Sequence, residues 1–309
     1  MSISFYVKNK KKFLGYEPVL TVEKALELLG RQLLTYNFDL SDERIDINKF
    51  LLSSISDYEC ILIGEDGKSA RGFELSYDKK EKYYAVRIYT PCSREDWLLA
   101  LEYIKELAKK FDSEIANERE EIYTVDNIDD FDYESDILFG IKSISSSIKR
   151  EKAEVHTIFG VNRVVDFNEK MVDKIDNSDN PIGTFSNMVK EIQYLDAYSA
   201  RQFFYNDKKD NKIMGSYTLT QNTRTILPYK PYVEFENLEI VNNDEVSFWN
   251  ISLVTIDGDE NDKNNYHVAG ELDYDTFIQK LPINKYNFID ATYIMVEPLT
   301  EEEILELLK

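Results

Sequence analysis

The sequence predicts an α+β fold, in which helices pack on mixed or antiparallel sheets. Short runs of β-branched and aromatic residues alternate irregularly with amphipathic helical segments, without the regular β–α repeat of a parallel sheet. The chain contains no G-x-G-x-x-G turn, which a doubly wound dinucleotide-binding sheet would carry. Its 309 residues, of which 43% are hydrophobic, suffice for one large domain or two.

The predicted elements follow from local periodicity in the N-terminal part of the chain. Alternating runs of four to eight residues predict strands, and apolar residues spaced three or four apart predict helices. In order, these are a strand at 3–7, a helix after the cap candidate Thr21, a helix at 41–55, a buried strand at 60–64, and a β-hairpin made of 71–77 and 83–90.

The domain organisation is predicted from one acidic run. Residues 126–136, DNIDDFDYESD, hold six acidic residues and no basic one. The run separates a regular part from a less regular part, so it predicts a linker between α+β domains at 1–125 and 137–309. A solvated acidic loop inside one elongated domain explains the run equally well, and both organisations stay open.

The stretch TPCSREDW at 90–97 resembles part of an active site, because it places a thiol, a hydroxyl and two carboxylates within five residues. It also precedes the clearest helical pattern in the chain, in which Trp97 begins the apolar face. Ser93 stands at the cap position, and Asp96 stands three residues later, where a carboxylate can bind the cap amide. The two histidines are remote in sequence, so we predict a capping box rather than a nucleophile.

The same pattern of proline, hydroxyl residue and acidic residue recurs at two other predicted helix starts, YEPVLTVE at 16–23 and VEPLTEEE at 296–303. A duplicated strand–helix unit would produce this repetition. Shared capping rules would produce it as well, since a hydroxyl caps the helix and carboxylates complement its dipole. The sequence leaves both explanations open.

Three further stretches imitate binding motifs. GKS at 67–69 follows a strand, but Leu62 occupies the position of the first glycine of a phosphate-binding loop, and a strand pattern follows, so we predict a turn. Residues 257–268 begin like a calcium loop but end in Val268 where the bidentate glutamate belongs. The segment 226–235, ILPYKPYVEF, predicts either an extended connection or edge strand, or an aromatic binding segment.

The charge of the chain limits its partners. The formal net charge is −21, so its long-range field repels nucleic acid and anionic lipid, and we expect neither as a partner. A basic protein partner suits such a surface. Cys60 and Cys92 are too few for a disulfide framework, and no apolar run approaches the ~18 residues of a membrane span, which together predict a cytoplasmic protein.

Two stretches carry a resemblance to a known family. SISFYVKNKKKFLG at 2–15 and YYAVRIYTPCSREDWLLALEYIKELA at 83–108, in a chain of this length, are similar to a bacterial family described as domain of unknown function 4299. The resemblance covers most of the chain and implies a bacterial, cytosolic protein. It implies no activity, cofactor or catalytic residue.

No residue of the sequence is assigned as catalytic, cofactor-binding or metal-binding, and no cofactor is predicted, because each motif tested lacks an essential part. The leading hypothesis is therefore a non-catalytic binding or protein-interaction protein, for example an acidic inhibitor of the immunity type. The alternative is a hydrolase-like enzyme whose carboxylates converge only in the fold. A raised carboxyl pKa in a cleft would favour the enzyme. The oligomeric state stays open.

Overall fold

A computed structural model describes residues 1–38, 40, 45–207 and 212–309. The chain divides into two compact units, Met1–Tyr194 and Leu195–Lys309. In each unit, helices pack on antiparallel or mixed sheets. The predicted α+β class is confirmed. Among the described residues, no helix combines the length and the apolar character needed to cross a membrane.

The first unit contains a seven-stranded antiparallel sheet and a separate two-stranded hairpin. The sheet order is β2-β3-β4-β5-β1-β6-β7, so the N-terminal strand lies inside the sheet. The strands are β1 Ser2–Lys8, β2 Leu34–Thr35, β3 Ile61–Gly64, β4 Phe73–Asp78, β5 Tyr83–Tyr89, β6 Ile115–Asn117, β7 Ile122–Tyr123, β8 His156–Phe159 and β9 Val164–Phe167. The predicted hairpin is confirmed, because β4 pairs with β5.

Six helices of the first unit are described, and the long helix α3 packs on β1 and β5. They are α1 Val22–Leu26, α2 Ile47–Leu52, α3 Arg94–Phe111, α4 Tyr133–Lys149, α5 Glu169–Asp176 and α6 Pro181–Gln193. Trp97, on α3, is fully buried. Its ring meets the Phe5 ring of β1 edge to face, with 6.4 Å between the ring centroids. The helix predicted at 41–55 corresponds to α2, and residues 41–44 lie outside the described part.

The acidic run at 126–136 lies within the first unit, whereas the division between the units falls at Leu195. Apolar side chains interrupt the run and hold it in place: Ile128 is buried, and the Phe131 ring stacks on Trp97 at 5.3 Å. Asp136 lies in the first turn of α4 and accepts a hydrogen bond from the Thr90 hydroxyl at 2.9 Å. Charge alone therefore does not mark a linker here.

The second unit contains two four-stranded mixed sheets with two short helices. The sheet orders are β10-β13-β17-β16 and β11-β12-β14-β15. The elements are β10 Tyr198–Ser199, β11 Phe203–Asp207, β12 Lys212–Thr220, β13 Thr225–Pro228, β14 Val246–Ile256, β15 Tyr266–Asp273, α7 Tyr274–Lys280, β16 Tyr286–Phe288, β17 Tyr293–Val296 and α8 Glu301–Leu307. Both helices pack on β14.

Candidate functional site

Ser93 caps helix α3, as the sequence predicts. Its hydroxyl accepts a hydrogen bond from the backbone amide of Asp96 at 3.1 Å, and the residue has no exposed surface. The hydroxyls of Thr21 and Thr300 cap α1 and α8 in the same way. At Thr300 both hydrogen bonds of a capping box are present, because the Glu303 carboxylate also accepts from the Thr300 backbone amide at 2.9 Å.

In place of the reciprocal bond predicted for Asp96, its carboxylate accepts three other hydrogen bonds. Its Oδ2 accepts hydrogen bonds from the backbone amides of Ala70 at 3.0 Å and Arg71 at 2.8 Å, and from the Ser93 hydroxyl at 2.7 Å. The carboxylate points inward, where Asp96 has no exposed surface. Two buried amides outside the helix need an acceptor, and Asp96 supplies it. The residue therefore joins the segment before β4 to the start of α3.

Arg71 forms a buried cluster with Cys92, Ser93 and Asp96, here called the buried cluster. Its Nε donates to the Phe159 carbonyl at 2.8 Å, its Nη1 donates to the Pro91 carbonyl, and its guanidinium carbon lies 5.0 Å from the Tyr89 ring centroid. Burial lowers the pKa of Arg71, and the nearby Asp96 charge raises it. Arg71 therefore links the loop after β5 with β8 through two carbonyl groups that would otherwise need a donor.

The cluster does not present a nucleophile. The Cys92 thiol is completely buried, lies 3.7 Å from Asp96 Oδ2, and has its pKa raised well above the ordinary value by burial and by the Asp96 charge. A thiol needs a lowered pKa and access to its substrate to react. Ser93 is equally inaccessible and is occupied as a cap. The structure therefore assigns the TPCSREDW stretch a role in the architecture.

Replacement of Ser93 tests this assignment. Ser93→Ala should lower the free energy of unfolding by about 1–2 kcal/mol, since it removes both the cap and a donor to Asp96. Ser93→Asp should be worse than alanine, because it would place a second carboxylate beside Asp96. Urea unfolding measures both, and the exposed cap variant Thr300→Ala, expected at about 1 kcal/mol, is the matched control. Unchanged stability of Ser93→Ala would contradict the assignment.

The two loops that imitate ligand-binding motifs have local roles. Residues 65–69 form a turn in which the Lys68 amide donates to the Glu65 carbonyl at 3.1 Å and Gly67 has a φ of +70°. No helix follows this turn; β4 begins at Phe73. Residues 257–265 connect β14 to β15, residues 266–268 already belong to β15, and Asp259 Oδ1 accepts from the Asn261 amide at 2.9 Å. Across the described ranges, no three His, Cys, Asp or Glu side chains converge as metal ligands.

The proline–tyrosine segment is extended, as one of its two interpretations predicts. Pro228 ends β13, and the Tyr229 amide donates to the Thr292 carbonyl at 2.8 Å. This strand lies between β10 and β17, so it is not an edge strand, and the alternative of a connection applies to the residues after Pro228. Proline cannot donate a ladder hydrogen bond, and Pro228 lies beyond Thr225 and Ile226, the residues of β13 that pair with β10.

A half-buried carboxyl group, Glu234, lies near the end of this segment, and the sequence does not reveal its surroundings. Glu234 Oε1 accepts a hydrogen bond from the Tyr293 hydroxyl at 3.1 Å, and that hydroxyl lies 2.7 Å from the Tyr232 hydroxyl. Gln202 Oε1 accepts from the backbone amide of Glu234 at 3.0 Å. Burial raises the pKa of Glu234 to about 7, although the hydrogen bond from Tyr293 acts to lower it. Gln202 and Tyr293 come from distant parts of the chain, 32 and 59 residues from Glu234, so no local motif marks the site.

The most exposed apolar side chains of the first unit lie at the tip of a hairpin formed by residues 10–16, here called the 10–16 hairpin. The Lys12 amide donates to the Gly15 carbonyl at 2.9 Å, and the Glu17 amide donates to the Lys10 carbonyl at 2.9 Å. Phe13 and Leu14, between these bonds, are 100% and 88% exposed. Gly15 has a φ of +90°, which closes the turn and which side chains other than glycine rarely adopt.

The base of this hairpin is fixed. Asn9 is buried, its backbone amide donates to the Lys82 carbonyl at 2.8 Å, and its Nδ2 donates to the Glu17 carbonyl at 2.9 Å and the Tyr77 hydroxyl at 3.1 Å. Ion pairs of Lys10 with Asp112 and of Lys12 with Glu17 brace the sides. The base of the hairpin is therefore ordered, while its tip exposes two apolar side chains.

Comparison with known proteins gives a family and no activity. No curated protein and no solved structure matches the chain significantly. One family model matches residues 2–307, nearly the whole chain, and so includes the buried cluster, the Glu234 site and the 10–16 hairpin. The chain belongs to the family described as domain of unknown function (DUF4299).

Proposed function

We propose that this chain is a non-catalytic protein-interaction protein whose recognition element is the 10–16 hairpin. The observation that carries the proposal is the full exposure of Phe13 beside Leu14 on a hairpin with a fixed base. Exposing a phenylalanine and a leucine side by side leaves apolar surface in water, which burial in a partner would relieve. Aromatic anchors of this kind supply much of the binding energy in protein interfaces.

The fixed base supports the same role. A loop that is ordered before binding loses less conformational entropy when it docks, so more of its contact energy appears as affinity. Asn9 achieves this order with three hydrogen bonds at the root of the hairpin. The net charge of −21 supports a more specific form of this proposal, in which the partner is a basic protein. An acidic surface attracts and orients a basic partner, as expected of an immunity-type inhibitor in the cytoplasm.

The hairpin is tested by removing its apolar tip. Phe13→Ser with Leu14→Ser should abolish at least nine tenths of the co-precipitation of a partner that the wild-type chain retains from its native cell, with the melting temperature unchanged, because neither side chain is buried. The matched control is Ile283→Ser, which removes another strongly exposed apolar side chain and should retain the partner. Equal recovery by the tip variant and the wild type would refute the proposal.

The hydrolase-like enzyme is a second candidate, favoured by one observation. Glu234 has a pKa raised to about 7, which suits a general acid near neutral pH. Hydrolysis by carboxyl groups usually employs two of them, and the second carboxyl group that acts on Glu234, that of Glu236, is exposed and makes no described hydrogen bond with it. The half-buried Glu234 therefore supports this candidate less than the exposed hairpin supports the first.

A further inference from the structure

A long strand forms one edge of a sheet in the second unit. In the order β11-β12-β14-β15, strand β15 pairs with β14 on one side and, within the described part of the chain, with no strand on the other. Its eight residues make it the longest of the described edge strands. Every second residue of an edge strand points its backbone amide and carbonyl away from the sheet, so β15 offers a row of hydrogen-bonding groups to an added strand.

This edge is accessible and lacks two residue types that commonly block one. Proteins protect long edge strands with lysine or proline, and the β15 sequence YHVAGELD contains neither. Tyr266 and Val268 are 41% and 63% exposed. A bulge at Ala269, another protective feature, bends the strand, but β14 pairs on both sides of it. Strand β15 therefore remains a pairing strand along its length.

The surroundings of this edge are acidic. Seven exposed carboxylates lie in the loop before β15, on β15 itself and in the first turn of α7. They are Asp257, Asp259, Glu260, Asp262, Glu271, Asp273 and Asp275. The described ion pairs of the second unit involve other carboxylates, those of Glu297, Glu303 and Glu306. Lys263 is the only lysine or arginine between positions 257 and 275, so the negative charge along the edge is not balanced locally.

An unpaired strand edge and an unbalanced negative charge together specify one kind of occupant. We propose that β15 binds an extended, lysine- or arginine-rich segment of a partner protein, which adds to the sheet as a fifth strand. Backbone hydrogen bonds hold such a segment, and opposite charges on neighbouring strands select it. A second copy of β15 is a poorer occupant, because it brings further carboxylates to an acidic edge. The inference goes beyond the proposed function, since this surface is distinct from the 10–16 hairpin.

The register of β15 predicts the order of side chains in the bound segment. Ser252 and Val254, two residues apart on β14, pair with Glu271 and Val268, so the bulge brings the last two to the same face of the sheet. From Asp273 back along β15, this face presents two carboxylates and then two apolar side chains. An antiparallel segment therefore requires two basic residues and then two apolar residues, all at alternate positions.

Fluorescence polarisation with a labelled synthetic peptide tests the proposal. The probe is Lys-Thr-Lys-Thr-Val-Thr-Val, and the full chain should bind it saturably. A peptide with glutamate in place of both lysines should bind at least about tenfold more weakly, because it loses the charge complementarity.

Two further peptides distinguish an added strand from charge attraction alone. Each is N-methylated at every second backbone nitrogen, and the two sets of methylated positions alternate. Only one set of amides in an added strand faces β15, so one peptide should lose binding and the other should retain it. Equal binding of the two methylated peptides would show that charge alone holds the segment and would overturn the proposal.

Lysines introduced on the edge should block it. Val268→Lys with Glu271→Lys should weaken binding of the lysine peptide by at least about tenfold, because lysine on an edge strand repels a basic segment. The matched control is Ile283→Lys with Glu239→Lys, which changes the net charge equally at exposed positions outside β15 and its loop. All four positions are exposed, so circular dichroism should show unchanged melting of both variants.

The outcomes separate this inference from the proposed function. A wild type that does not bind the lysine peptide, or an edge variant that binds it as tightly as the control does, overturns strand addition at β15. The hairpin variant Phe13→Ser, Leu14→Ser should bind the lysine peptide as the wild type does, because its substitutions lie in the first unit. Its co-precipitation therefore tests the role of the hairpin independently of β15.

Discussion

Asp96→Ala should lower the free energy of unfolding by about 3–5 kcal/mol, which is a large part of the stability of a typical domain. The substitution leaves the amides of Ala70 and Arg71 and the hydroxyl of Ser93 without their acceptor in a site closed to water. Each buried polar group left unpaired costs about 1–3 kcal/mol. It also removes a negative charge that acts on the buried Arg71 guanidinium.

Asp96→Asn separates these two effects. The amide oxygen of asparagine can accept from the two backbone amides, so this variant should recover part of the loss while the charge beside Arg71 is still missing. Asp136→Ala is the matched control, since Asp136 is also buried but accepts from the Thr90 hydroxyl alone among its described hydrogen bonds. Urea unfolding of the three variants provides the measurement. A loss below about 1 kcal/mol for Asp96→Ala would contradict the buried-acceptor role.

Local rules predict the helix starts and fail at Asp96. Ser93, Thr21 and Thr300 are caps because a hydroxyl next to a helical pattern binds the nearest free amides, a contact spanning three residues. The strand hairpin β4–β5 is equally local. Asp96 satisfies the same spacing rule, yet its carboxylate binds amides 25 and 26 residues earlier, brought there by the sheet. Periodicity does not encode such long-range contacts.

The remaining sites depend on the fold in the same way. The cluster around Glu234 combines residues 202, 232, 234 and 293, which share no periodic pattern. The 10–16 hairpin is different, because its lysines, Phe13, Leu14 and Gly15 are contiguous and visible in the sequence. The sequence does not indicate that these side chains are exposed, because an apolar pair near a strand is ordinarily expected to be buried. The hairpin is recognised only once Asn9 is seen to hold its base away from the core.

Glu234→Gln should make the second unit more stable than the wild type at pH 8 by up to about 3 kcal/mol, and equally stable at pH 4. The reason is the pKa of Glu234, which burial raises from an ordinary 4.5 to about 7. The folded state therefore disfavours the ionised carboxylate. Glutamine is neutral at every pH, and its side-chain oxygen can still accept the hydrogen bond from the Tyr293 hydroxyl.

The pH window follows from the two pKa values. Below about pH 4.5 the carboxyl is protonated in both the folded and the unfolded chain, so its titration does not affect stability. Between about pH 4.5 and 7 the unfolded chain releases the proton and the folded chain retains it, so the free energy of unfolding falls as pH rises. Above about pH 7 both states are ionised, and the loss attributable to Glu234 is complete.

Amide hydrogen exchange in strands β12 and β14 measures this effect within the second unit, independently of how the first unit unfolds. The wild type should exchange faster, relative to Glu234→Gln, as pH rises from 4 to 7, after correction for the intrinsic pH dependence of exchange. Glu260→Gln is the matched control, because Glu260 is exposed in the same unit and should show the wild-type pH dependence. Parallel pH profiles for the wild type and Glu234→Gln would show that the buried carboxyl titrates normally. Its bond to Tyr293 would then have to offset the burial of its charge.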